Sequence, residues 1–167
     1  MAGDVKIKGN KMTDLTIEQI DEQELLIDDD FILHAQLQQD CIIIAELPLS
    51  KLLLCNDSQY PWFILVPKVN NIKDAYQLNW QQQQQLQNES SLISELLMQV
   101  FNGDKMNVAA LGNVVEQLHV HHVVRYITDA TWPKPIWGQL PLKPYSDAEL
   151  ATLKEKLLPG LSVIFAS

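Results

Sequence analysis

Residues 117–125 read QLHVHHVVR, and three of the chain's four histidines, His119, His121 and His122, fall within this stretch. The stretch reads as a strand, on which successive side chains point to opposite faces. Gln117, His119, His121 and Val123 then share one face, while Leu118, Val120, His122 and Val124 share the other. His119 and His121 are therefore neighbours, and His122 turns away among aliphatic residues. A single three-histidine cluster does not form. The remaining pair has three readings: buried and hydrogen-bonded structural histidines, two ligands of a zinc ion completed by an acid from elsewhere, or groups that act on a substrate. No HxxE or CxxC companion stands in the sequence to favour the metal, and no metal-ligand set is assigned.

Working outward, CIIIAELP (41–48), SKLLLCN (50–56) and PWFILVPK (61–68) are short apolar runs bounded by proline, asparagine and aspartate, which read as three consecutive strands. The connector NDSQYP carries turn chemistry, so the second and third strands form a hairpin. Between Asp74 and Phe101, the residues Leu86, Ile93, Leu96, Leu97, Val100 and Phe101 repeat at helical spacing, and Asn102-Gly103 supplies a stop. Gln81 to Gln85 and Gln87 are read as the solvated face of that helix. KMNVAALG (105–112) reads as a fourth strand and QLHVHHVVRYI (117–127) as a fifth. The prolines of TWPKPIWGQLPLKP make an irregular loop, followed by a last helix over SDAELATLKEKLLPG with Ser146 and Glu149 at capping-box spacing and Pro159-Gly160 as its end. Upstream, FILHAQLQQD predicts one short helix that sets Phe31, Leu33 and Leu37 against the core. The expected fold is α+β: an antiparallel sheet of about five strands with one long helix packed on it, plus N- and C-terminal helices. Residues 1–30 are read as a flexible lead and acidic extension, with one docked helix over Asp14 to Asp30, and residues 31–167 as the main domain.

Composition narrows the partners. The chain has 167 residues, 47% of them hydrophobic and 20% charged, which suits one domain with a real core. Its 21 acidic residues outnumber its 12 basic ones, so attraction to a DNA or RNA duplex or to an anionic membrane is not expected. No apolar run reaches the roughly 20 residues of a membrane span, the start lacks a signal-peptide core, and a cytoplasmic location is the expectation. Cys41 and Cys55 each lie in an apolar run and are expected to be reduced, buried thiols.

The stretch AALGNVVE (109–116) leads straight into the histidines. A glycine turn of this kind aims consecutive N–H groups at one point and lets an anion approach the main chain closely. Imidazole beside it is both a good nucleophile toward phosphorus and a proton carrier near neutral pH. Together these parts point to phosphoryl or nucleotidyl transfer.

At this point the sequence resembles the histidine triad family, whose signature is His-φ-His-φ-His-φφ on a strand after a glycine-containing loop. The resemblance covers roughly residues 41 to 127, taking in LLLCNDSQYPWFILVPK (52–68), the long helix and MNVAALGN, with TWPKPIWG as the segment that follows. It is similar in particular to the bacterial branch described as diadenosine tetraphosphate hydrolase-like. The resemblance implies His119 as nucleophile, His121 as the donor to phosphate and bridging oxygen, and Gln117 in the place of the first motif histidine. It further implies Asn56 near the ribose, Asn107 near the phosphate, and Gly112, Asn113, Val114 and Val115 as the phosphate-loop backbone.

An implied two-step reaction follows: His119 attacks the α-phosphorus of a dinucleoside polyphosphate or nucleoside phosphoramidate, and water hydrolyses the resulting nucleotidyl-histidine. No cofactor is expected, and any magnesium would ride on the substrate's polyphosphate. The family habit implies a homodimer. Gln117 departs from the pattern, because an amide holds hydrogen bonds but carries no proton as imidazole does; His122 stands where an aliphatic residue is usual and is expected to be structural. The alternatives kept open are a nucleotide-binding or sensing protein with little or no turnover, and a metal-binding domain using His119 and His121. His34 is read as structural, and Trp62, Trp132 and Trp137 as packing, with substrate contact open for the later loop. Arg125 either attracts phosphate or pairs with an acid, while Glu116 and Asp129 are given no catalytic work.

Overall fold

The structure, a computed structural model, describes residues 25–166, with side chains as far as Ser162. Five strands form one antiparallel sheet in the order β1-β2-β3-β5-β4. These are β1 (Cys41–Glu46), β2 (Ser50–Cys55), β3 (Trp62–Pro67), β4 (Lys105–Ala109) and β5 (Val120–Arg125). The short helix α1 (Ala35–Asp40) leads into β1, the long helix α2 (Trp80–Phe101) joins β3 to β4, and α3 (Asp147–Ala166) closes the chain. The α+β expectation is met, element by element in the expected order. Within the extension, residues 25–30 contain no helix. Leu25 is buried in the main core, and Asp28 takes the Asn70 N–H at 2.5 Å while its own N–H reaches Lys68 O. The helix expected over Asp14 to Asp30 otherwise lies, like the flexible lead, outside the described residues.

Alternation divides the sheet between two cores. Leu52, Leu54, Phe63, Leu65 and Val124 point to the face covered by α2 and α3, where Leu86, Ile93 and Leu97 meet Leu153, Leu157 and Leu161. Leu53, Cys55, Ile64 and Val66 point the other way, toward Leu33, Leu37 and Val115. The α1 segment thus covers part of the second face. His34 caps α1, its Nδ1 accepting the Gln36 N–H at 3.2 Å, which gives it the structural role expected of it.

Several boundaries differ from the expected ones. The long helix starts at Trp80 rather than Asp74, because Asn79 and Gln82 form a reciprocal capping box there while residues 75–77 make a separate 3-10 turn. Gln82 is therefore buried, an exception to the solvated reading of the glutamine run. Its other end is as expected, with Asn102 in the left-handed conformation at φ 49°. β4 stops at Ala109 and β5 starts at Val120, so the loop between them is longer than expected. The last helix does not end at Pro159-Gly160 but runs through both. A proline inside a helix loses one hydrogen bond and crowds the preceding turn, at about 3 kcal/mol. Here Leu153, Leu157 and Leu161 form one buried stripe on both sides of Pro159, and burying such side chains is worth about 1.5–3 kcal/mol each, which outweighs the defect.

Gly160 sits where α3 meets α2: a Cβ built on it would overlap Leu96 Cδ1. At an open helical position, glycine to alanine stabilises by about 1 kcal/mol. At this contact, overpacking of about 1–3 kcal/mol opposes that gain. Gly160→Ala is expected to lower the urea midpoint of unfolding; a raised midpoint would mean that the two helices do not need the gap.

Candidate functional site

The site is built on β5 and the loop that feeds it. His121 pairs with Ile64 of β3 and with Ala109 of β4, so it stands on the interior of the sheet. His119 lies one residue before the strand, yet the alternation already holds: the His119 and His121 rings meet edge-on with centroids 4.8 Å apart. His122, on the opposite face, is fully buried, with its Nε2 2.8 Å from Ser90 Oγ of α2 and its Nδ1 3.1 Å from Val120 O. A carbonyl can only accept, so Nδ1 carries the proton and Nε2 accepts from the serine. His122 thereby ties the sheet to α2 and takes no part in the cluster.

The two imidazoles on the open face are held in opposite tautomers. His119 Nδ1 lies 2.7 Å from the main-chain carbonyl of Gln117, which places its proton on Nδ1 and leaves Nε2 with a free lone pair. His121 Nδ1 instead accepts from the Trp62 indole N–H at 2.9 Å, so its proton sits on Nε2. One ring presents an acceptor, the other a donor. Trp137 closes the far side of His121, 5.4 Å away, and meets Trp62 edge-on at 6.2 Å. Burial, with the neighbouring His119 and His122 adding to it, holds His121 down to about 3; burial alone pushes His122 down to about 4.

The loop before β5 leaves main-chain donors unpaired among the described residues. Gly112 adopts φ +69°, a left-handed conformation that other residues rarely take. Val115 is buried and pins the loop to the second core, while Asn113 and Val114 are exposed. Among the described residues, the main-chain N–H groups of Gly112, Asn113, Val114 and Val115 donate to no other group.

The other expected residues are placed less simply. The side chain of Gln117 points to the N-terminal segment, accepting from His34 N at 2.9 Å and donating to Ile32 O at 2.9 Å. Its main-chain carbonyl, not its side-chain amide, reaches His119. Asn107 shares the His121 face, being paired with Val123, and its Oδ1 accepts from Arg125 Nη1 at 2.9 Å. Asn56 lies at the hairpin turn, toward the opposite end of the strands from the loop, where its Oδ1 takes the Tyr145 N–H at 3.0 Å.

Of the two readings of Arg125, the structure selects the acid. Its guanidinium is almost fully buried and bonds Asp129 at 2.6 Å, with Tyr60 and Trp132 over it. Glu116, given no catalytic work from the sequence, pairs with Lys73 at 2.6 Å. Sequence reading did not find Trp62 as a partner of His121. The available signal was its place at the start of the strand beside the histidines, but which strand pairs with which is not written locally. Among the described residues, no group of three or more His, Cys, Asp or Glu is arranged to hold a metal, and no helix is long and apolar enough to cross a membrane.

The family model described as HIT domain matches residues 36–128. The chain belongs to the HIT domain family. Solved structures agree with this. A histidine triad protein from Marinobacter aquaeolei VT8 is 51% identical, with 79% of this chain and 96% of that one covered at a TM-score of 0.77. Histidine triad proteins from Bradyrhizobium japonicum and Sinorhizobium meliloti 1021 are 40% and 36% identical, with 78% of this chain and 97% of each of theirs covered, at TM-scores of 0.76 and 0.77. A search of the curated proteins finds no match. The HIT domain family includes nucleotide hydrolases and transferases, and the two imidazoles beside a loop of free N–H groups occupy the matched span.

The buried histidine of this HIT domain carries a pH signature. In the unfolded chain an imidazole protonates below about pH 6.5, whereas folded His122 stays neutral down to about 4. The unfolded state therefore binds more protons between those values, and stability falls as the pH drops through that window, by about 1.4 kcal/mol per pH unit for one group. His122→Asn removes this contribution. Its free energy of urea unfolding is expected to decline less steeply from pH 6.5 to 4 than that of the intact protein, and equal slopes would contradict the neutral buried ring.

Proposed function

We propose that this chain is a nucleotide hydrolase that cleaves the α-phosphate linkage of dinucleoside polyphosphates or nucleoside phosphoramidates through a nucleotidyl-histidine intermediate. The observation that carries the reading is the opposed pair of tautomers: His119 offers an Nε2 lone pair 4.8 Å, ring to ring, from a His121 that offers an Nε2–H. In the first step Nε2 of His119 forms a bond to the α-phosphorus, and the bond to the leaving group breaks. The ring keeps its Nδ1 proton, and the Gln117 carbonyl stabilises the cation that forms. Charge on the non-bridging oxygens meets the N–H groups of residues 112–115, the preorganised arrangement that acyl- and phosphoryl-transfer sites share. In the second step water attacks phosphorus, the N–P bond breaks with its electron pair returning to Nε2, and a nucleoside monophosphate leaves with the water's proton lost to solvent.

Similarity to the diadenosine tetraphosphate hydrolase-like branch supports the polyphosphate as substrate. Asn56 and the free Nδ2 of Asn107 are the further candidates for ribose and phosphate. A magnesium ion, where used, enters on the substrate. A second reading, a nucleotide binder without turnover, draws on Gln117, whose amide is committed to residues 32 and 34 and carries no proton to a leaving group. The chain is further read as a homodimer, supported by the place of β4 at the sheet edge among the described residues and by Val108, 49% exposed on that strand.

Hydrolysis of diadenosine tetraphosphate by the intact chain, His119→Ala and His121→Ala tests the leading reading. Turnover is expected to vanish in His119→Ala, with a nucleotidyl mass adduct trapped only on the intact protein, and to fall about 100- to 1000-fold in His121→Ala. Undiminished turnover in His119→Ala refutes the mechanism, and tight binding with no turnover in the intact protein selects the binder. Light scattering at micromolar concentration is expected to return twice the chain mass; a monomer mass refutes the dimer.

A further inference from the structure

Among the described residues, His121 is bonded through one ring nitrogen, and its partner is an indole. The Trp62 N–H donates to Nδ1 at 2.9 Å, and an indole nitrogen donates but never accepts. His121 cannot swap its tautomer, or flip, without losing that bond. The tilted Trp62 ring at 5.5 Å, the edge of Trp137 at 5.4 Å and the edge of His119 at 4.8 Å hold the imidazole on three sides. A second proton on Nδ1 would break the Trp62 bond and put a cation among aromatic rings. Among the described residues, no carboxylate, lysine or tyrosine is hydrogen-bonded to either imidazole of the open face. Nor can the nearest groups along the chain supply a proton. The Gln117 amide is committed to Ile32 O and His34 N, and the Arg125 guanidinium to Asp129, Asn107 and Thr131.

The geometry points to Trp62 as a positioning residue that makes His121 a hydrogen-bond donor and not an acid, so that the site cleaves linkages whose leaving group departs as an anion. This rests on the hydrolase reading above and sharpens its substrate class. In a dinucleoside polyphosphate the P–O bond breaks with its electron pair on a phosphate oxygen. That oxygen is stable as an anion at neutral pH and needs only the Nε2–H hydrogen bond. In a phosphoramidate the P–N bond would leave its pair on nitrogen, and an amine must gain a proton to depart. Burial of the imidazole acts in the same direction, since it disfavours the protonated ring. The class taken is therefore the phosphoanhydride, with phosphoramidates as poor substrates.

Two measurements on the full chain test this together. Long-range 15N–1H correlation spectra should show His121 as the Nε2–H tautomer from pH 8 to pH 5, turning into a mixture in Trp62→Phe, which keeps an aromatic ring but removes the donor. General acid catalysis is worth about 100- to 10,000-fold. On that scale kcat/KM for diadenosine tetraphosphate should exceed that for adenosine 5′-phosphoramidate by about 100-fold or more, and Trp62→Phe should narrow the ratio about tenfold. An Nδ1–H or doubly protonated His121 in the intact protein overturns the proposal whatever the turnover. Equal rates on the two substrates with the Nε2–H tautomer in place overturn the restriction to anionic leaving groups. Absence of turnover on both substrates, again with that tautomer, overturns the hydrolase reading and the substrate class with it, while the Trp62 positioning stands.

Discussion

The register of β5 is the constraint on which the rest of this structure depends. His121 and His122 are adjacent in the chain, yet one faces Trp62 and Trp137 and the other is sealed against Ser90 of α2. A slip of one residue would exchange them, because the side-chain period of a strand is two. It would put the imidazole that faces Trp62 and Trp137 into the apolar core and move the core histidine to the other face. That register is locked from both sides, by Phe63 and Ile64 of β3 and by Val108 and Ala109 of β4, opposite His122 and His121 respectively, and by the Val124 N–H on Pro61 O beyond the β3 pairs. Val123 and Val124, both fully buried, would each be moved to the wrong environment by the same slip.

Electrostatics in the site is arranged around hydrogen-bonded neutral groups, with charge compensated nearby. The one guanidinium on the histidine face is neutralised by Asp129, both side chains being almost entirely removed from water. Separating such a pair leaves a buried charge, at about 3–5 kcal/mol, which makes Arg125 a fixture of the tail rather than a mobile phosphate ligand. Its bonds to Asp129 and Thr131 gather the start of the irregular tail, and Ile136, buried beside Val123 and Tyr60, seats the segment that carries Trp137 to His121. The chain carries a formal net charge of −9, and with Arg125 paired the groups left to meet an anion under the proposed function are the loop N–H dipoles and the His121 Nε2–H.

Much of this arrangement was legible in the residues. Alternation along 117–125 separates His122 from the pair, and His122 is indeed bonded into the core. The short apolar runs marked β1, β2 and β3, the stretches 105–112 and 117–127 contained β4 and β5, and the glycine at 112 marked a loop position with a left-handed backbone. The errors have local causes. Pro159-Gly160 reads as a terminator, and is one in an isolated helix. Here the leucine stripe and the close approach to Leu96 keep the helix going. Asp74 and Asn79 each cap a turn, with Gln77 and Gln82 as their partners, and only the turn after Asn79 continues into the long helix.

What the sequence determined by itself are the properties set by near neighbours: strand and helix periodicity, the face on which each histidine lies, the glycine loop and the family signature. What only the tertiary structure decided are the partners. The Trp62 indole stands 59 positions from His121, and the residues bonded by the Gln117 amide stand 83 and 85 positions away. The proton on His121 is assigned by the distant Trp62 indole, while that on His119 is assigned by the Gln117 carbonyl two residues before it. A chain's spacing encodes which side chains share a face, but a tautomer depends on the atom that finally meets the ring, and that meeting exists only once the sheet has closed.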